Sequence, residues 1–172
     1  MANERYTRTN QKLFFAGLSL EAWRRAVADD GLEAPGRVQA EREASLFHLH
    51  GALLGLCQEV AGFYRTPQAD ATAVEAILDR AALEAHPTPE LAELLEIAGN
   101  PDTWLSELLR HYRRLFEPLR APAKAKQDPG LPLIEAVSLD TAEPALSPDE
   151  VEAWRRELKA VTLRFRQGMT EW

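Results

Sequence analysis

The segment from Leu46 to Tyr64 constrains the fold more than any other part of the chain. Leu46, Leu49, Leu53, Leu56, Val60 and Phe63 recur at alternating spacings of three and four, which places them on one face of a helix. A neighbouring stripe of Phe47, His50, Leu54, Cys57, Ala61 and Tyr64 widens that face. So broad an apolar arc needs several neighbours to cover it, so the helix, running from about Pro35 to Arg65, is expected at the centre of a helical assembly. The same segment is not a membrane span, because His48, His50, Gln58 and Glu59 would be expensive in hydrocarbon.

Helical periodicity extends along almost the whole chain, and no stretch alternates with the period of a strand. A first helix is predicted from about Asn3 to Ala28, with Leu13, Ala16, Leu20, Trp23 and Val27 on one stripe and Gly31 placed to end it. Thr66-Pro67, Thr88-Pro89 and Asn100-Pro101 each pair a capping residue with proline, the usual signature of a helix start. They predict helices over about Pro67 to Ala85, Pro89 to Ala98 and Pro101 to Leu119, the first two forming a small hairpin. Ser147-Pro148-Asp149-Glu150 adds a capping box that opens a last helix running to the C-terminus. Residues 118–146 carry five prolines, which forbid a continuous helix, around an apolar centre at 131–139; they predict a proline-rich strap lying across the bundle. The fold expected is all-α: one domain over residues 1–172, a mostly antiparallel helical bundle of four longer helices with a short helical hairpin and the strap. A chain of 172 residues with 45% hydrophobic content suffices for one such core.

Charge and cysteine content narrow the function classes. A formal net charge of −7 opposes a duplex nucleic-acid binder, whose surface must neutralise phosphates. The lone Cys57 excludes an internal disulfide and a cysteine-based zinc site. Met1 to Lys12 is polar and the apolar run Leu13 to Leu20 is too short for a secretory signal, so a cytoplasmic setting is expected.

Within the bundle a few residues stand out as site candidates. Gly51, Gly55 and Gly62 each cost about 1 kcal/mol relative to alanine inside a helix, so something must compensate them. Gly51 and Gly55 lie four apart on one face, which predicts a tight helix crossing, near Gly17 of the first helix, or a ligand groove. His48 and His50 are two apart and point about 200° away from each other, so they cannot share a metal ion, and no metal or other cofactor is expected. Arg110, Arg113 and Arg114, continued by Arg120, Lys124 and Lys126, form a basic concentration that reads as a solvated helix face or as a patch for an acidic partner. Arg8 and Lys12 belong to an N-terminal run, Arg5 to Lys12, that is polar on all sides yet continuous with the helix behind it. No catalytic serine motif, phosphate-binding loop or dinucleotide fingerprint occurs.

Arg42 and His48 in the stretch Arg42-Glu43-Ala44-Ser45-Leu46-Phe47-His48 have the spacing that resembles the arginine and histidine of HEPN ribonucleases. That resemblance implies a dimer cleft in which Arg42 stabilises a phosphate and His48 acts as acid or base. Glu43 departs from the family's small polar residue, and its charge opposes a phosphate. The opening, Ala2 to Leu13, and the Leu-Gly-rich second helix resemble small, uncharacterised all-helical proteins of gammaproteobacteria, carried as domains of unknown function; that likeness implies a bacterial cytoplasmic setting and no activity. The function expected is a non-catalytic interaction or regulatory module with a protein partner, a second copy of itself included, for which Trp172 at the chain end is a contact candidate. The alternatives are a HEPN-like ribonuclease using Arg42 and His48, and a small-ligand-binding bundle with its groove at Gly51 and Gly55. Glu-Ala-Trp-Arg-Arg occurs at 21–25 and again at 152–156, each time with apolar residues three before and four after the tryptophan, which predicts two core-facing tryptophans.

Overall fold

A computed structural model describes residues 2–117 and 145–170, and among these every regular element is a helix. The elements are α1 (Ala2–Val27), α2 (Ala34–Phe63), α3 (Val74–Ile77), α4 (Arg80–Ala85), α5 (Pro89–Gly99), α6 (Trp104–Arg114) and α7 (Pro148–Thr170). The stretch predicted as a strap lies outside the described residues, apart from its end at Ala145 and Leu146, and so does Trp172.

α2 is the central helix, packed against α1, α3, α5, α6 and α7. Its side chains at Leu46, Leu49, Leu53, Leu56 and Val60 are buried, as the spacing requires, while Phe63 at the end of the stripe is exposed. The widening stripe divides: His50, Cys57 and Ala61 are buried, and Phe47 and Tyr64 face solvent. α1 runs antiparallel to α2, since Lys12 lies against Gly51, Thr9 against Gly55 and Arg5 against Gly62. α7 in turn runs antiparallel to α1, with Arg24 bonded to Asp149 at one end and Arg166 to Asn10 at the other. Both repeated tryptophans enter the one core, Trp23 at 2% and Trp154 at 8% exposure.

The boundaries differ from the sequence expectation in three places. The helix predicted over Pro67 to Ala85 is two short pieces, because Leu78 leaves helical geometry (φ −85°, ψ 56°) and Asp79 caps a new start through Ala82 N–H. Thr66-Pro67 opens only turns. The helix predicted from Pro101 begins instead at Trp104: Asn100 accepts from Asp102 N–H, and Thr103 supplies the cap to Ser106 N–H. It closes at Arg114, so three helices are long and this one is short. The capping box before α7 forms as expected, Ser147 Oγ accepting from Glu150 N–H while the Glu150 carboxylate accepts from Ser147 N–H at 2.8 Å.

Candidate functional site

The polar first half of α1 continues the core-facing stripe of its apolar second half. Arg5, Thr9 and Lys12 share one face with Ala16, Leu20 and Trp23, at helical spacings, and Thr9 and Lys12 are buried. What makes this tolerable is the glycine row of α2. A Cβ at Gly55 would lie 2.5 Å from Thr9 Oγ1 and 3.3 Å from Thr9 Cα, and one at Gly51 would lie 3.1 Å from the Lys12 stem. The missing side chains make room for polar ones on the facing helix, and the space beside Gly51 and Gly55 is occupied by Lys12 and Thr9. Gly17 does not meet them as expected; it faces the Arg155 guanidinium of α7, because the antiparallel register carries it past α2's glycines. Arg5 completes the row, donating to Gln58 O at 2.9 Å and to Asp70 at 2.7 Å.

Lys12 ends in a corner formed with α2. Its Nζ lies 3.5 Å from His48 Nδ1 and 4.6 Å from the centroid of the Phe47 ring. Phe15 and Phe47 each meet the His48 ring edge-on, with centroids 5.4 and 5.5 Å away, and Phe14 adjoins Phe15. Arg8 stands one turn before Lys12 and, among the described residues, bonds the neutral Gln11, at 2.6 Å. Among the described residues no carboxylate forms an ion pair with Arg8, Lys12 or His48; the ion pairs lie elsewhere. Burial lowers the pKa of Lys12 and of His48, and the neighbouring cations lower both further: Arg8 acts on Lys12, and Lys12 and Arg8 act on His48. The corner is a pair of cations around an imidazole with aromatic walls, Phe15 and Phe47, of which Phe47 is well exposed at 51%.

Of the sequence candidates, the fold brings Arg8, Lys12, His48, Gly51 and Gly55 together. Arg42 does not join them: His48 meets Lys12 and Phe15 of α1, whereas Arg42 bonds Gln39. Arg42 instead lies in a cleft of about 520 Å³ between α2 and α6 with Glu43, His111 and Arg114, where cations and acids are mixed. Arg110 and His111 both approach the Glu107 carboxylate, while Arg113 and Arg114 are exposed; Arg120, Lys124 and Lys126 lie outside the described residues. The described residues hold no group of three or more His, Cys, Asp or Glu side chains able to hold a metal ion, and no described helix is long and apolar enough to cross a membrane. Cys57 is an inert thiol, pushed up to about 12 by complete burial.

Sequence reasoning missed the aromatic walls. Phe47 belongs by spacing to the widened apolar face of α2, and Phe14 and Phe15 sit in an apolar run; the signal for a surface role was the chain's inability to bury adjacent residues on one helix in the same direction. It also missed Arg166 of α7, whose guanidinium grips the Glu59 carboxylate with both arms at 2.9 and 2.8 Å while donating to Asn10 and stacking over Tyr6. The Glu59 side chain is wholly out of water, so this pair fixes how three long helices meet.

No curated protein and no solved structure matches the chain. One family model matches from residue 1 to residue 172, in keeping with the resemblance to domains of unknown function read from the sequence: the chain belongs to DUF6586, a family of unknown function.

Proposed function

We propose that the protein is a non-catalytic interaction module whose docking surface is the corner of Arg8, Lys12, His48 and Phe47, and that its partner is a protein segment combining acidic and apolar side chains. The observation that carries this reading is the clustering of two cations, Arg8 and Lys12, around the His48 imidazole without a carboxylate in a chain of net charge −7. Other arginines of the fold are matched with acids across helices, among them Arg24 with Asp149 and Arg164 with Glu93. Leaving Arg8 and Lys12 unmatched costs stability by like-charge repulsion, which an arriving carboxylate would reverse. Exposed Phe47 supplies apolar contact beside the charges, with Phe15 behind it against His48. An acidic peptide suits the corner better than nucleic acid, because the rest of the surface is negative and repels a polyphosphate. A second copy of this chain is itself an acidic partner, so a homodimer falls within the reading. Retention of Cys57 as a buried thiol supports a reducing, cytoplasmic setting, and the gammaproteobacterial character of the chain's opening supports a bacterial one.

The test uses a fluorescently labelled amphipathic peptide rich in Glu and Leu, titrated with the full chain and read by anisotropy. Wild type binds, and binding weakens with added salt. Arg8→Glu and Phe47→Ser, both at exposed positions, each weaken it at least tenfold without altering the melting temperature. Equal binding by wild type and Arg8→Glu, or tighter binding of a single-stranded RNA of equal length, would overturn the reading. Sedimentation of the chain alone shows whether a second copy is the partner.

A further inference from the structure

A second recess, on the other flank of α1, is chemically distinct from the docking corner. It lies between α1 and α7, encloses about 260 Å³, and is walled chiefly by Leu13, Phe14, Arg155, Lys159, Leu163 and Arg166. Three of those six side chains are cations and no carboxylate lines the recess. Two of the cations are already committed. Arg155 spends its Nε and Nη2 on Glu152, at 2.8 and 3.0 Å, and reaches Leu13 O with Nη1. Arg166 is held by Glu59 and Asn10. Lys159 is the remaining charge: it is exposed and forms no ion pair or hydrogen bond among the described residues.

The apolar walls are as unsatisfied as the ammonium. Phe14 is 61% exposed and Leu163 52%, and they flank the recess from opposite helices above the buried floor at Leu13. A helix surface optimised only for solvent would not set two large apolar side chains around a concavity. At about 30 Å³ for each water-sized group, the volume holds roughly nine non-hydrogen atoms.

We infer that this recess binds a small amphiphilic anion, a free carboxylate on an aliphatic chain of about eight carbons, its head paired with Lys159 and its chain lying between Phe14 and Leu163 over Leu13. The committed arginines contribute without moving: they hold the Glu152 and Glu59 carboxylates, neither of which lines the recess to compete for Lys159. An uncharged alcohol of the same length loses the head-group contact, and an amine meets repulsion from Lys159.

The probe is octanoate, titrated into the full chain and followed by amide chemical-shift changes in α1 and α7, with calorimetry for affinity. Octanoate is expected to saturate at submillimolar concentration and to shift amides around Phe14, Lys159 and Leu163. Lys159→Glu weakens it at least tenfold and Lys159→Arg by less than threefold. Leu163→Asn also weakens it, with the melting temperature of all three variants unchanged. Arg8→Glu, which disables the docking corner, leaves octanoate binding intact, so failure of the two assignments is distinguishable. The inference is overturned if octanoate shifts no amides below 5 mM, if Lys159→Glu binds as wild type does, if octylamine binds equally well, or if only vesicles of phosphatidylglycerol bind.

Discussion

At the scale of the residue, identical local sequences meet different fates. Trp23 and Trp154 are both buried, as the apolar flanks of the two Glu-Ala-Trp-Arg-Arg segments predict. The arginines diverge: Arg25 pairs with exposed Glu21 at 3.5 Å, whereas Arg156 shares with Arg155 a Glu152 carboxylate held below the usual range, chiefly by its bond from Arg155. Trp23→Ala is therefore expected to cost about 3–5 kcal/mol in urea unfolding. Arg25→Ala should cost only a few tenths of a kcal/mol, since an exposed i,i+4 pair contributes no more than that. Equal losses for the two variants would contradict this assignment. The tryptophans were legible because period alone puts them on the apolar seam. The partners of the arginines were not, because they depend on which helix arrives opposite.

At the scale of the element, helix ends decided what periodicity left open. α2 closes with Thr66 N–H donating to Ala61 O at 2.9 Å and Arg65 N–H to Gly62 O at 3.2 Å, the paired bonds of a Schellman motif. That motif puts its penultimate residue in the left-handed region, and here the position is held by Arg65 with φ 55°. Arg65→Gly removes the clash between Cβ and carbonyl and is expected to raise stability by about 1 kcal/mol, seen as a higher urea midpoint with an unchanged slope. An unchanged or lowered midpoint would show that Arg65 contributes contacts that outweigh the strain. The sequence carries no glycine there to announce the stop. Thr103 was likewise hidden behind Asn100-Pro101, two capping signals three residues apart, and the one that wins also satisfies Ile97 O, at 2.6 Å, on the preceding helix.

At the scale of the whole molecule, burial of ionisable side chains makes stability depend on pH. His50 stacks on Tyr112 with ring centroids 3.6 Å apart, and its Nε2 is buried without a hydrogen-bond partner among the described residues. Burial lowers its pKa, outweighing the opposing field of Glu75, and burial and then Lys12 and Arg8 lower that of His48. Both therefore hold a proton less readily in the folded chain than in the unfolded one, whose imidazoles titrate near about 6.5. The unfolded state gains protons first as pH falls, so stability is full above about 6.5 and declines below it toward the depressed folded values. Glu152 and Glu93, both lowered first by bonds from arginines, add a further loss below about 4.3 as they are protonated. The urea midpoint should change little from pH 8 to 6.5 and fall from 6.5 to 5, and His50→Gln should flatten that fall; a midpoint constant over the whole range would refute it.

The sequence by itself determined that the chain is helical, that α2 is central, that both tryptophans face the core and where α7 begins, because period and capping chemistry act within a turn or two of chain. Only the tertiary structure decided that the polar start of α1 faces the core, that Glu59 and Arg166 lock three helices together, and that Arg8, Lys12 and His48 share a corner while Arg42 does not. The reason is physical. A glycine row says that something approaches closely but not what, and a charge says that it needs solvent or a partner but not which. Both are settled by the antiparallel register of α1 on α2, which places Thr9 against Gly55 and so sets every other contact along the pair.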